Sequence, residues 1–328
     1  MVKNYLAEFI LEEKFSHCHI NTQDVFKKII LDIVGYTVAG SQTDEAKLAK
    51  DFALELWQEG ECSIFLSSEK INSVGAAFIN ATMTTALDLN SEHRMVKGQL
   101  NSIIFPAILA ASEERKISGE EFLSALLVGY EIGIRADRIA HETRSNLQAI
   151  CSAGMIGATA GVSRVIGLSE EALVNAIGIT EHYSTYSPLM NSIEPVGEQE
   201  AISWASMAGV NSAMLAEKGF KRESKTFSEM NYFENQHVQE LGRKYLVEQL
   251  LYKAHICNRF QSETSEALML YGEVSEKEIK QKFLSLTEPV IGREWSGQLI
   301  ETITHLEEVK NMREFTSLIN KMILKQVV

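Results

Sequence analysis

Three features of this 328-residue sequence predict an all-α fold. It holds only 4 prolines, so long helices can run uninterrupted. Apolar residues make up 45% of it and recur at helical spacing in one segment after another. A single short stretch before the third helix, Glu61 to Ser67 (ECSIFLS), reads as a strand. No repeat or low-complexity linker interrupts the pattern. The chain therefore reads as a single helical domain, 1–328, with a main body over 1–264, a short connection over 265–279 and closing helices over 280–328.

The elements follow in order. Asn21-Thr22-Gln23-Asp24 predicts a helix start, a capping side chain followed three residues on by a carboxylate. The helix it opens, VFKKIILDIVGYTVAG, is apolar on nearly every face after Lys28, the mark of a central core helix. Gly40 predicts its end. Asp44 to Glu59 is a second, amphipathic helix. The stretch Ala76–Glu114 predicts a helix that breaks at Asp88, a polar loop, and a further helix entered near Asn101. Ala76, Ala77, Ala81 and Ala86 form a small-residue face that lets another backbone approach.

Ser118-Gly119-Glu120-Glu121 predicts the cap of a helix reaching about Ala140 that carries Gly129, Tyr130, Glu131 and Arg135. From Ser152, the residues Gly154, Gly157, Ala158 and Gly161 fall at helical spacing, again for close packing. With no GxGxxG or GKS/GKT pattern, this segment is not read as a phosphate loop. Ser169–Glu181 and Glu198–Lys218 continue the helical pattern. Phe220–Asn235 is a polar connection, and Phe283–Ile323 closes the chain as two or three amphipathic helices.

Charge and cysteine usage exclude several roles. A formal charge of −13 argues against nucleic acid, which is bound through clustered Lys and Arg, and against anionic membranes. Cys18, Cys62, Cys151 and Cys257 are scattered without a CxxC pair, which fits free thiols in a reducing cytoplasm. The N-terminal MVKNYLAEFILEEKF is amphipathic and partly acidic, unlike a signal or transit peptide. No apolar run approaches a membrane span. A soluble, cytoplasmic chain is expected.

Chemistry is expected where the first small-residue face ends. Asp88 stands there, followed by Asn90, Ser91, Glu92, His93, Arg94 and Lys97. Glu92 and His93 read either as an acid/base pair beside Asp88 or as a solvated loop. His255, Cys257 and Arg259 alternate after Lys253, so an extended segment would line them up with the lysine as an anion pocket; a half-buried connector is the plainer reading. His17-Cys18-His19 lacks further ligands at zinc spacing, so no metal site is assigned. His182, Tyr183 and Tyr186 read as ligand contacts or as aromatic packing, and Met190, Met207 and Met214 as core.

Four segments carry a family resemblance. ILDIVGYTVAG (Ile30–Gly40) resembles the Asp-x-x-Gly core helix of the MmgE/PrpD family. AAFINATMTTALDLN with FPAILAASEE and GYEIGIR, then GMIGATAGVSRVIGLSEEALVNAIGI, follow that family's order and spacing. FLSLTEPVIGREWSGQLIETITHLEEVKNMREFTSLI is similar to the helices that close its large domain. The family contains 2-methylcitrate dehydratases, cis-aconitate decarboxylases and iminodisuccinate epimerases. The resemblance implies its large helical domain, and a homodimer built through it.

Two departures are equally plain. Family members carry an inserted α+β domain between the lysine segment, here YKAHICNRFQSETSEALMLY, and the closing helices; GEVSEKE cannot build one. The helical domain is therefore expected without its lid, which leaves the site wetter. Asp88 and Lys253 match the family's aspartate and lysine. Gln99, however, stands where a histidine is expected, Gln148 where another is expected, Glu198 near a lysine of some members, and Asn258 or Gln261 at a further histidine. Amides do not titrate, and a Lys-to-Glu change would repel a substrate carboxylate.

The resemblance implies a lyase or isomerase acting on a small carboxylate metabolite by proton abstraction. Asp88, His93 and Lys253 would be catalytic, with Glu92, Gln99, Gln148, Glu198, His255 and Arg259 binding substrate. Such chemistry needs no metal or organic cofactor. The competing expectation is a catalytically silent relative that serves as a binding subunit or pairs with a full-length paralogue.

Overall fold

Helix α2 (Ile20–Gly40) forms the axis of the core, and every residue from Ile29 to Val38 is buried. The computed structural model describes residues 5–94, 96, 99–143, 151–183, 198–224, 236–253, 271–272 and 274–321. α2 begins before the expected cap. His19 holds the cap position without a side-chain bond, and Thr22 lies inside the first turn. Its hydroxyl donates to Glu248 Oε1 at 2.6 Å, a tertiary contact that takes the side chain away from capping. Gly40 also serves differently from a left-handed stop. A Cβ there would meet the Met83 carbonyl oxygen at 2.0 Å, so the glycine is what lets α2 lie against α4.

Around this axis the helices follow the sequence pattern closely. α1 (Tyr5–Glu12) precedes α2, and α3 (Asp44–Leu56) is capped by Thr43, which accepts from the Ala46 amide at 3.2 Å. α4 (Ser73–Thr85) is capped by Asn72, and α6 (Gly119–Thr143) by Ser118, each a local side-chain acceptor for an orphan amide. α5 (Leu100–Arg115), α7 (Ser152–Val165), α8 (Glu170–Tyr183), α9 (Glu198–Glu217) and the short α10 (Gln236–Gln239) complete the body. α7 packs against α5, α6, α8 and α9. Its contact with α6 depends on two facing glycines: a Cβ on Gly157 would sit 2.3 Å from the Gly129 carbonyl oxygen. The expected small-residue face is thus a helix-to-helix contact. Met207 and Met214 pack partly buried against the core, while Met190 lies outside the described residues.

Three helices close the chain: α11 (Glu276–Ile291), α12 (Arg293–Thr304) and α13 (Met312–Lys321). α11 begins inside the segment expected to be a connection. Ser275 and Glu278 form a reciprocal capping box, which nucleates the helix there. α11 lies along α2. α13 is fastened to α5 by Glu113, whose buried carboxylate accepts from the Ser63 amide at 3.0 Å and the Thr316 hydroxyl at 2.5 Å.

Among the described residues, two small antiparallel sheets accompany the helices. β1 (Cys62–Ser63) pairs with β2 (Lys70–Ile71) in the expected strand-like stretch. β3 (Glu92–His93), β4 (Leu250–Lys253) and β5 (Tyr271–Gly272) form a second sheet in that order. Strands this short carry no period in the sequence, which is why the second sheet is not foreseen. Lys253 pairs with Tyr271 and Tyr252 with Gly272. Among the described residues, no helix is long and apolar enough to cross a membrane.

Candidate functional site

The end of α4 sets the site. Thr85 is its last helical residue, and three residues on Asp88 takes a left-handed backbone, φ 51°, an uncommon conformation for a residue with a Cβ. The turn directs the chain into β3 and brings the Asp88 side chain, 18% exposed, to the end of β4. Lys253 lies there with its side chain 5% exposed. Its ammonium donates to the Asp88 carbonyl at 2.7 Å and stands 3.6 Å from Asp88 Oδ2. Gln99, at the cap position of α5, donates from Nε2 to Asp88 Oδ1 at 3.4 Å, and its Oε1 accepts a short bond from Asn90. Asp88, Lys253 and Gln99 therefore lie together at the end of α4.

A second buried cation holds the same loop from α11. Lys282 pairs with Asp32 of α2, Nζ to Oδ1 2.7 Å, and donates to the Leu89 carbonyl at 3.1 Å. Ser91 donates to Asp32 Oδ2 at 3.1 Å and accepts from Asn101 at 2.6 Å; Asn101 in turn accepts from the Tyr130 hydroxyl at 2.7 Å. Burial pushes the Asp32 carboxyl up, and Lys282 and Ser91 oppose that shift. None of this network is foreseen as site structure. The available signal was an aspartate in the middle of an otherwise apolar helix, since a buried charge requires a partner.

Glu92 and His93 do not share a face. They are neighbours on β3, where successive side chains point to opposite sides, and Glu92 is exposed while His93 is buried. His93 Nε2 lies 2.9 Å from the Leu246 carbonyl, which assigns the proton to that nitrogen. Burial pushes the imidazole below its ordinary value, the Leu246 bond opposes this, and Arg138 adds to it. His93 thus ties β3 to the 3-10 turn Leu246–Gln249.

That turn is gripped from below by the GYEIGIR segment. The fully buried Glu131 carboxylate accepts from the amides of Leu246 (3.1 Å) and Val247 (2.9 Å) and makes a close ion pair with Arg135. Arg135 donates onward to the carbonyls of His237 (2.7 Å) and Lys244 (2.8 Å). The segment leading to Lys253 is thereby fixed before β4 begins.

Glu198 opens α9, and nothing further of its side chain is described. Gln148, His255, Cys257, Arg259 and Tyr186 lie outside the described residues. Cys18 is buried, its thiol pushed up to about 12 chiefly by burial, a setting opposite to that of a reactive or metal-binding thiolate. Among the described residues no cluster of three His, Cys, Asp or Glu side chains is placed to hold a metal.

The chain is 26% identical over 234 residues to the cis-aconitate decarboxylase-like protein oryM of Aspergillus oryzae, a match covering 68% of this chain and 48% of that one. It is 26% identical over 161 residues to cis-aconitate decarboxylase of Aspergillus terreus, covering 47% of this chain and 33% of the relative. The matches thus span about half of these curated relatives or less. The model of the MmgE/PrpD N-terminal domain matches residues 4–241, which include Asp88, Gln99 and the Glu131–Arg135 pair and stop short of Lys253 and Lys282. With most of its length matched by that helical domain, the chain belongs to the MmgE/PrpD family.

Proposed function

We propose that this chain is a lyase or isomerase of dehydratase, decarboxylase or epimerase type that acts on a small carboxylate metabolite by proton abstraction. The observation that carries this reading is the Asp88 carboxylate at 18% exposure with the buried Lys253 ammonium 3.6 Å from it. A carboxylate at a partly open edge can take a proton from carbon next to a substrate carboxylate. An adjacent ammonium then stabilises the negative charge that develops. After proton abstraction, loss of hydroxide would mark a dehydratase; in a decarboxylase the bond to the carboxylate would break instead, leaving its electron pair on carbon to be protonated there by an acid of the site; return of the abstracted proton to the opposite face would mark an epimerase. The cis-aconitate decarboxylase names of the relatives favour the second. His93 is the proposed second proton carrier, through Nδ1. Glu92, Gln99, Gln148, Glu198, His255 and Arg259 are the proposed binding set. The reaction requires no cofactor, since positioned acids and bases suffice.

A second copy of the chain is the proposed partner. Leu48, Phe52 and Leu56 recur one turn apart along α3 and are exposed together with Trp204 of α9. The buried Phe78 ring supports them, its centroid 6.2 Å from that of Phe52 and 5.2 Å from that of Trp204. One observation favours the silent-subunit reading instead: the Gln99 amide, which cannot titrate, takes up Asp88 and Asn90 where a histidine would exchange protons.

The test is an NMR turnover and thermal-shift screen of cis-aconitate, citrate, 2-methylcitrate and amino-dicarboxylates. Turnover that disappears in Asp88→Asn and Lys253→Met supports the enzyme. No turnover and no shift with any compound, together with a stable complex with a full-length paralogue, overturns it in favour of the partner role.

A further inference from the structure

Three groups among the described residues surround the Lys282 ammonium. One is the Asp32 carboxylate at 2.7 Å, one is the Leu89 carbonyl at 3.1 Å, and one is the face of the Tyr36 ring, 5.9 Å to its centroid. Its side chain is 8% exposed and that of Asp32 is 0% exposed, so the ammonium is fixed in place. Asp32 also accepts from Ser91, and Lys253 donates to the carbonyl of Asp88. Backbone or side-chain groups of residues 88, 89 and 91 are therefore each tied to a buried charge. Asp88 itself stands in a left-handed conformation, strained for a residue with a Cβ, that persists only when its surroundings over-determine it.

We propose that Lys282 is a positioning residue for Asp88. Acting through the Leu89 carbonyl, with Asp32 as its counter-ion, it holds the backbone turn that keeps the Asp88 carboxylate at Lys253. The proposal rests on the reading of Asp88 as the site's base. A pair that merely joined α11 to α2 would stabilise those helices equally well and leave the loop indifferent to its removal.

The experiment separates these roles. Lys282→Met alone leaves the Asp32 carboxyl buried without its cation and can unfold the protein. The double variant Asp32→Asn/Lys282→Met removes both charges and avoids that penalty. In the full chain, hydrogen exchange of the Asp88–Ser91 amides and the carbonyl 13C resonance of Leu89 are followed by NMR, with citrate binding measured alongside. The expected result is a melting temperature near that of the wild type, with a shifted Leu89 carbonyl signal. Exchange in the loop accelerates roughly tenfold or more while the interiors of α2 and α11 are unchanged. Citrate binding falls by a similar factor. Unchanged loop exchange and an unmoved Leu89 signal in the folded double variant overturn the proposal. Faster loop exchange in a protein whose wild type shows neither turnover nor a shift with any of the screened compounds upholds the role of Lys282 in shaping the turn, and overturns instead the reading of Asp88 as a base.

Discussion

Glu131→Ala should be among the most damaging single substitutions in the chain. The Glu131 carboxylate is fully buried, pairs with the equally buried Arg135 and accepts from the amides of Leu246 and Val247. Removing it leaves a guanidinium buried without its counter-ion, for which the expected cost is about 3–5 kcal/mol. It also orphans two amides at about 1–3 kcal/mol each, partly recovered if water enters the space. A total of roughly 4 kcal/mol or more takes a large part of a typical folding free energy. At about 2.1 cal/mol/K of unfolding entropy per residue, the chain loses ~0.7 kcal/mol per kelvin, so Tm should drop by roughly 6 °C. Urea unfolding followed by circular dichroism gives the free energy. Hydrogen exchange over Leu246–Tyr252 reports whether the damage concentrates on the approach to Lys253. Glu131→Ala/Arg135→Met should be milder than the single change, because no unpaired charge remains. A single-variant cost below about 1 kcal/mol, or a double variant worse than the single by the full cost of Arg135→Met, would refute the clamp.

Three further outcomes are expected. Burial holds the Glu113 carboxyl above its ordinary 4.5, so its contribution to stability is fully present below pH 4.5 and is lost as pH rises through the folded-state value. Glu113→Gln, which mimics the protonated form, should therefore gain on the wild type in Tm as pH is raised from 4.5, and parallel curves would contradict this. Gly157→Ala places a methyl 2.3 Å from the Gly129 carbonyl oxygen, and denaturant unfolding should show a loss at the upper end of the ~1–3 kcal/mol typical of overpacking. A neutral result would mean that α6 and α7 can separate at little cost. Ser275→Ala removes half of the α11 capping box and should cost about 1 kcal/mol, with faster exchange confined to the first turn of that helix.

Local pattern made much of this molecule legible. The glycines of α7 and the alanines of α4 announce close packing because small residues at helical spacing act within one element. The break at Asp88 is read from a polar run after an apolar one. What escapes the sequence is pairing at a distance. Nothing near Asp32 names Lys282 as its counter-ion, and Glu131 and Arg135 look like an ordinary i,i+4 surface pair until the fold buries them against residues 237–247. The Asn21–Asp24 cap fails because α2 already begins at Ile20, with His19 at the cap position and Asn21 inside the first turn. Ser275-Glu276-Lys277-Glu278 does carry the capping-box pattern in plain sequence, and treating that stretch as a linker passes over it.

The two lysines that hold the Asp88 turn also set an order of assembly. Residues 88–91 and Asp32 leave the ribosome early, whereas Lys253 and Lys282 follow long afterwards. The helices matched by the family's N-terminal domain contain their own close contacts and can gather while synthesis continues, but the turn has neither of its ammonium anchors until β4 and α11 arrive. Until then Asp88 has no cation from these elements to hold it in its left-handed conformation. The nascent protein should thus acquire its scaffold first and its site geometry last, so that a partly made or C-terminally nicked chain would be well packed and yet chemically unfinished.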